Sequence, residues 1–416
     1  MKNNFKKNFI WNTIGVFSIS LTSFVYSLIL VRLCELSISG VWSYAFAVAC
    51  TAVTIASFGG RTYQVTDVKN ELTTYTYVKA RYLTVSLMFG IMLIFTALKG
   101  FNLNKSLILI LLCLFKFFEE LSDVYYGILQ KNDRLYVVGK SMFFKSFINM
   151  IIFFIAILLT KELLIAVIVI LINNFLFFYF YDRRSALKLG EIEKNTNKEM
   201  FIKYFKSNLV ICIVIFLSTY LVNCPKYLME IFLSEADQGI YNLLALPATA
   251  VTLIGSFIIN PMLVGISEDY KDNKIEKIKK TAFKMTSIIL AFGIVALIGG
   301  YFLGPFVMRI VYGLDLNLYL TEFCIMIFGC TFYTISSILS LILISARKIM
   351  PQLIYNVSLA VFSYILCYFL VKNYSLQGAV YSYIIIMFIR FIIYILMILF
   401  MKENKNEKKS FALTSK

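Results

Sequence analysis

The sequence predicts an all-α polytopic membrane fold of twelve transmembrane helices in two parallel six-helix lobes. Three observations carry this. Apolar residues, 60% of the chain, come in blocks of spanning length. Lysine and arginine concentrate in alternate connections between the blocks. A short motif recurs about 200 residues apart in the same orientation.

The blocks come first. A soluble domain is about half apolar and a quarter charged. Here only 15% of residues are charged. Crossing a bilayer takes about 17–25 mostly apolar residues. Twelve segments qualify: 9–31, 41–58, 82–98, 106–129, 141–160, 162–181, 207–224, 240–264, 283–303, 321–345, 352–371 and 376–401. The first has a basic start. It is too long for a secretory signal core and lacks a small-residue cleavage site, so it reads as a span.

The charges come second. With the N-terminus cytoplasmic, thirty of the forty lysines and arginines fall in inside segments and seven outside. Lys116, Lys145 and Arg390 lie within spans. The asymmetry places both termini in the cytoplasm and accounts for most of the +17 net charge. A nucleic-acid partner is therefore not expected. There is no histidine, which excludes imidazole metal sites, His-dependent catalytic triads and His proton relays. The eight cysteines form no C-x-x-C and read as small buried hydrophobes. No cofactor is expected.

The repeat comes third. The stretch LSISGVWS at 36–43 precedes TAVTIASF at 51–58, and EADQGIYN at 235–242 precedes TAVTLIGSF at 249–257. Gly40 and Gly239 are the matching glycines. Six spans separate the copies, so both point the same way through the membrane. The expected organisation is an N-terminal lobe 1–181, a cytoplasmic linker 182–206, a C-terminal lobe 207–401 and a cytoplasmic tail 402–416.

Charges inside spans are costly and by default face a cavity or one another. The fourth span holds Lys116, Glu119, Glu120, Asp123 and Gln130, all within an arc of about 100° of a helix. A Lys116 ladder to Glu119 and Glu120 is the structural alternative. One cation cannot neutralise three carboxylates, which favours a water-filled path. The fifth span presents Ser141, Lys145 and Asn149 on one face, with Lys145 a partner for the fourth span's carboxylates. The eighth presents Asn242, Thr249, Ser256 and Asn260. Arg390 lies near the middle of the twelfth, and Arg61 follows a Gly pair at the exit of the second. For Arg61 a positive-inside anchor is the plain alternative; for the amides and hydroxyls it is contact between helices. Together the polar stripes suggest a central hydrophilic cavity.

There is no Walker A motif, no G-x-S-x-G, and no long outside loop carrying paired acids. The reading is a transporter, not an enzyme. An intramembrane glycan polymerase or glycosyltransferase would need such a loop. A non-transporting scaffold has nothing specific in its favour.

Several segments resemble the bacterial polysaccharide-transport and O-antigen flippase family, within the superfamily that includes MATE exporters. They are the opening FIWNTIGVFSISLTSFVYSLILVRLCELSISGVWSYAFA, then FGGRTYQVTDVKN, ELSDVYYGILQKNDRLYVVGKSMFFK, EADQGIYNLLALP, RIVYGLDLNLY and SLQGAVYSYII. Tyr312 stands where the family has Phe, and Gly378-Ala379-Val380 where it has Gly-Ala-Ala. The resemblance implies a MATE-like fold of two lobes around a cavity open alternately to either side. It implies a plasma-membrane flippase for an undecaprenyl-pyrophosphate-linked oligosaccharide, partnered by membrane lipids and other polysaccharide-assembly proteins.

The resemblance names no substrate residue; chemistry suggests them. Arg61, Lys145 and Arg390, then Lys116, are candidates for the pyrophosphate, and amides such as Asn149 and Asn260 for the sugars. Glu119, Glu120 and Asp123 are candidates for a coupling proton or sodium. A MATE-type exporter of amphipathic cations is the second reading, against which the buried cations argue.

Overall fold

The computed structural model describes residues 2–67, 71–190, 196–259, 262–313, 317–346 and 348–401. Among the described residues all regular structure is helical. Nine helices among the described residues are long and apolar enough to cross a membrane, making this a multi-pass membrane protein.

Two compact units divide the chain, Met1–Asn242 and Leu243–Lys416. The first contains α1 (Lys2–Leu33), α2 (Leu36–Ser57), α3 (Gly60–Thr66), α4 (Thr74–Lys99), α5 (Leu103–Lys131) and α6 (Leu135–Thr160). It continues with α7 (Leu163–Leu176), a π-helical stretch Phe177–Asp182, α8 (Arg183–Leu187) and α9 (Lys198–Phe232). It ends in the first turns of α10 (Glu235–Ile259). The second unit holds the rest of α10, then α11 (Leu263–Lys271), α12 (Ile275–Tyr312), α13 (Leu320–Ser345) and α14 (Ile349–Leu399). At Ser375 α14 breaks, with φ 52° and ψ −130°.

Where the expected spans fall on described residues they lie largely on these helices, 162–181 across α7 and the π-helical stretch, and the last two on either side of Ser375. The helices outrun the apolar blocks where a cap starts them early. Thr73 accepts from the Thr76 amide, so α4 begins eight residues before the expected 82. Asn197 does the same for Met200, and α9 then runs through Pro225 to Phe232. A proline is tolerated there because neighbouring helices can satisfy the freed carbonyl. Helix thus enters the stretch 182–206 from both ends.

In the first unit α1 packs on α6, and α2 packs on α4, α5 and α9. Tyr26, Trp42 and Phe153 pack together in its core in edge-to-face and tilted contacts, with Tyr26 and Phe153 ring centroids 4.4 Å apart. Large apolar side chains such as Leu83, Leu87 and Ile94 face outward, as a lipid-facing surface requires. In the second unit α13 packs between α12 and α14 around Ile289, Leu339 and Ile342.

The repeated motif has a physical counterpart. Gly40 of α2 and Gly239 of α10 lie where the two helices cross. A Cβ on Gly40 would overlap the Glu235 carbonyl, and one on Gly239 would meet the Leu36 carbonyl. Lys105 of α5 closes over the same end of the unit, donating to Glu230 at 2.6 Å and Glu235 at 2.9 Å.

Candidate functional site: a charged tract in the first unit

The charged face of α5 meets two arginines. Arg61 of α3 pairs with Asp123 at 3.3 Å and donates from Nε and Nη2 to Gln130 Oε1. Arg81 of α4 pairs with Glu120, and with Asp123 at 3.2 Å. It is 1% exposed. Its Nη1 also donates to the Ala56 carbonyl, one of the oxygens the end of α2 leaves without an intrahelical donor.

The local sequence builds this pocket. Phe58 and Gly59 both take positive φ, turning the chain out of α2. Gly60 then leaves room for the Arg81 guanidinium, which a Cβ would strike at 2.5 Å. After α3, Asp67 accepts from the Glu71 and Leu72 amides and the Tyr77 hydroxyl. Burial pushes its carboxyl up, but these donors outweigh that and hold it below the usual carboxylate range.

Further along α5, Lys116 pairs with Glu119 at 2.7 Å and lies over the Phe46 ring. The expected ladder is therefore half present: Lys116 takes Glu119, while Arg81 takes Glu120. Glu119 is thus balanced within α5, and Glu120 and Asp123 by arginines of α3 and α4.

Lys145 requires a correction. Expected to face the α5 carboxylates, it pairs with Asp182 at 3.4 Å and donates to the Tyr126 hydroxyl at 3.0 Å. Tyr126 and Ser141 also donate to Asp182. Asp182 closes the π-helical stretch Phe177–Asp182 and is 1% exposed. Asn149 continues the α6–α7 seam, donating to Asn174 at 3.0 Å and accepting from Asn173 at 2.8 Å. Its amide serves contact between helices.

In the second unit Arg390 is 1% exposed and lies between the Tyr333 and Tyr394 rings, 5.7 and 5.4 Å from their centroids. Asn260 lies outside the described residues, as do the side chains of Thr249 and Ser256. Asn242 donates to Ser27 at 3.1 Å and accepts from Lys226 at 3.2 Å.

Sequence reasoning misses three charged residues. The apolar blocks leave Arg81 and Lys226 among the loop cations and Asp182 in the linker. The capping Thr73 is the available signal that helix extends to include Arg81, while Lys226 is included because α9 runs on through Pro225. For Asp182 the signal is its place one residue past the sixth apolar block.

No protein-family model matches the chain. A capsular polysaccharide biosynthesis protein of Staphylococcus aureus, CapF, is 27% identical over 403 residues, covering 95% of this chain and 98% of the relative. Among solved structures, the lipid II flippase MurJ in an inward closed conformation matches with a TM-score of 0.71. Identity there is 13%, over 94% of this chain and 87% of that one. The chain has a MATE-like fold. The MATE multidrug transporter DinF-BH matches with a TM-score of 0.70 at 14% identity over 97% of each chain. An inward-facing MATE family transporter of the MOP superfamily gives 0.66 at 13%, over 91% and 93%. The MATE-like expectation is thus met by these structures, and the likeness to polysaccharide-transport proteins by the capsular relative.

Proposed function

We propose that this chain is a flippase for an undecaprenyl-pyrophosphate-linked oligosaccharide, a unit of capsule or related surface polysaccharide. It would move that cargo across the bacterial plasma membrane by alternating access of two six-helix lobes, with both termini cytoplasmic. The observation that carries this reading is the end-to-end likeness to a capsular polysaccharide biosynthesis protein. A fold also found in a lipid II flippase supports it.

The tract offers a means of coupling. Asp123 holds Arg61 and Arg81 together, and Glu120 holds Arg81. A proton or sodium ion arriving at these carboxylates competes with the arginines and loosens α3 and α4 from α5. Glu119 is the third carboxylate of this set, bound to Lys116. No step requires bond chemistry by the protein.

The second reading is a MATE-type exporter, since multidrug transporters match the fold about as well. A strain lacking the gene separates the two. The flippase reading expects lost surface glycan and accumulated lipid-linked oligosaccharide, both restored by the wild-type gene. Normal surface glycan with raised sensitivity to cationic dyes would overturn it in favour of the exporter.

A further inference from the structure

Lys226 differs from the other buried cations of the first unit. Arg61, Arg81, Lys105, Lys116 and Lys145 each meet a carboxylate. Lys226 is half-buried inside α9, and its Nζ donates to the amide oxygen of Asn242 at 3.2 Å. Among the described residues no carboxylate forms an ion pair with it. Glu230, one turn further along α9, is turned to Lys105 and Gln238.

The groups around it are neutral and polar. Asn242 donates to Ser27, Asn223 donates to Thr51 at 3.4 Å, and Thr51 shares a 2.5 Å hydrogen bond with Tyr227. The Cys50 thiol lies within Coulombic range of both Lys226 and the Lys116–Glu119 pair. An ammonium carries three donors, and Asn242 occupies one. A full charge held in a spanning segment by a neutral amide is costly, so such a residue marks a functional site.

We propose that Lys226, flanked by Asn223 and Asn242, seats the pyrophosphate of the lipid-linked cargo. This rests on the flippase reading and adds the residue that carries the charge. The phosphate oxygens take the two remaining ammonium protons as charge-assisted hydrogen bonds. The surrounding amides and hydroxyls suit the first sugar. Lys116 and Lys145, each already bound to a carboxylate, have less to offer an anion.

The test uses the full chain in lipid nanodiscs, with undecaprenyl pyrophosphate, uncharged undecaprenol and inorganic pyrophosphate as probes. Wild type is expected to bind undecaprenyl pyrophosphate well above either other probe. Lys226→Gln is expected to weaken that binding about tenfold or more, and Lys226→Arg to keep most of it. Lys226→Gln is also expected to melt at or above the wild-type temperature, because it removes an uncompensated charge. Wild-type affinity in Lys226→Gln would overturn the assignment. So would a lowered melting temperature in that variant, which would make Lys226 a structural contact. Inorganic pyrophosphate binding as tightly as the lipid would overturn the lipid-linked source. Failure of wild type to bind any of the three would count against the flippase reading itself.

Discussion

Gly40 and Gly239, 199 positions apart in sequence, face each other across the crossing of α2 and α10. Each leaves room for the other helix's backbone: Gly40 for the Glu235 carbonyl, Gly239 for the Leu36 carbonyl. Small residues at a crossing let transmembrane backbones approach closely, and here the same turn of each repeat supplies one. Gly40→Ala is expected to destabilise the folded protein by about 1–3 kcal/mol or more, because the added methyl meets backbone that cannot rotate away. Gly239→Ala, with slightly more space, is expected to cost less. Melting temperatures of the purified variants in detergent check the order. A Gly40→Ala protein as stable as wild type would remove the crossing from the account.

Arg81 holds Glu120 and Asp123 at once, with almost no solvent access. Removing one partner of a buried pair leaves an uncompensated charge and costs about 3–5 kcal/mol. Arg81→Gln is therefore expected to yield little stable protein. The double variant Arg81→Gln/Glu120→Gln is expected to recover part of the loss. Arg81→Lys is expected to fall between, because a point charge cannot fork between two carboxylates as a guanidinium does. Detergent melting curves of the three variants measure this, and equal loss in the single and double variants would contradict the pairing.

What was legible in the sequence follows from what a bilayer demands. Spans had to be apolar and long, so an all-helical multi-pass fold could be read from composition alone. The shared face of Glu119, Glu120 and Asp123 followed from helical geometry, and the structure places Arg61 on Asp123 and Gln130 as that face requires. The partners were not legible. An apolar window opens at 82 and so leaves Arg81 out, although Thr73 starts the helix before it. Another window closes at 224, before Pro225, and so misplaces Lys226. Asp182 stands one residue past its apolar block, at the end of a π-helical stretch that carries the helix on to include it.

Asp67 ties the start of α4 to the end of α3 through the Glu71 and Leu72 amides and Tyr77. Its folded-state carboxyl is held below the ordinary range. A depressed carboxylate stabilises the fold above its unfolded pKa of about 4, and that stability is lost as pH falls through the folded value. Asp67→Asn is expected to lower stability at neutral pH by about 1 kcal/mol, the worth of a net hydrogen bond or so. The gap to wild type should close as pH is lowered from about 5 to 3. Melting temperatures of both proteins across that range test it, and a gap that widens in acid would reverse the sign of the argument.

Lys145 and Asp182 form the most enclosed ion pair of the first unit, with Tyr126 and Ser141 completing the carboxylate's shell. Lys145→Met and Asp182→Asn each strand a buried charge and are expected to cost about 3–5 kcal/mol. Lys145→Met/Asp182→Leu replaces the pair with apolar groups of similar bulk, and exchanges of this kind are often neutral or stabilising. The double variant is therefore expected to fold, and its surface-glycan export then decides what Lys145 does. Export near the wild-type level assigns the pair to holding α6 against the π-helical end of α7. A stable double variant that exports nothing would return Lys145 to the cargo path, since only a direct contact is lost when the fold is intact. Asn149 lies one turn along the same face of α6 and is bonded within the α6–α7 seam. Asn149→Ala separates the possibilities further: a holding role predicts lower stability with normal export per folded molecule.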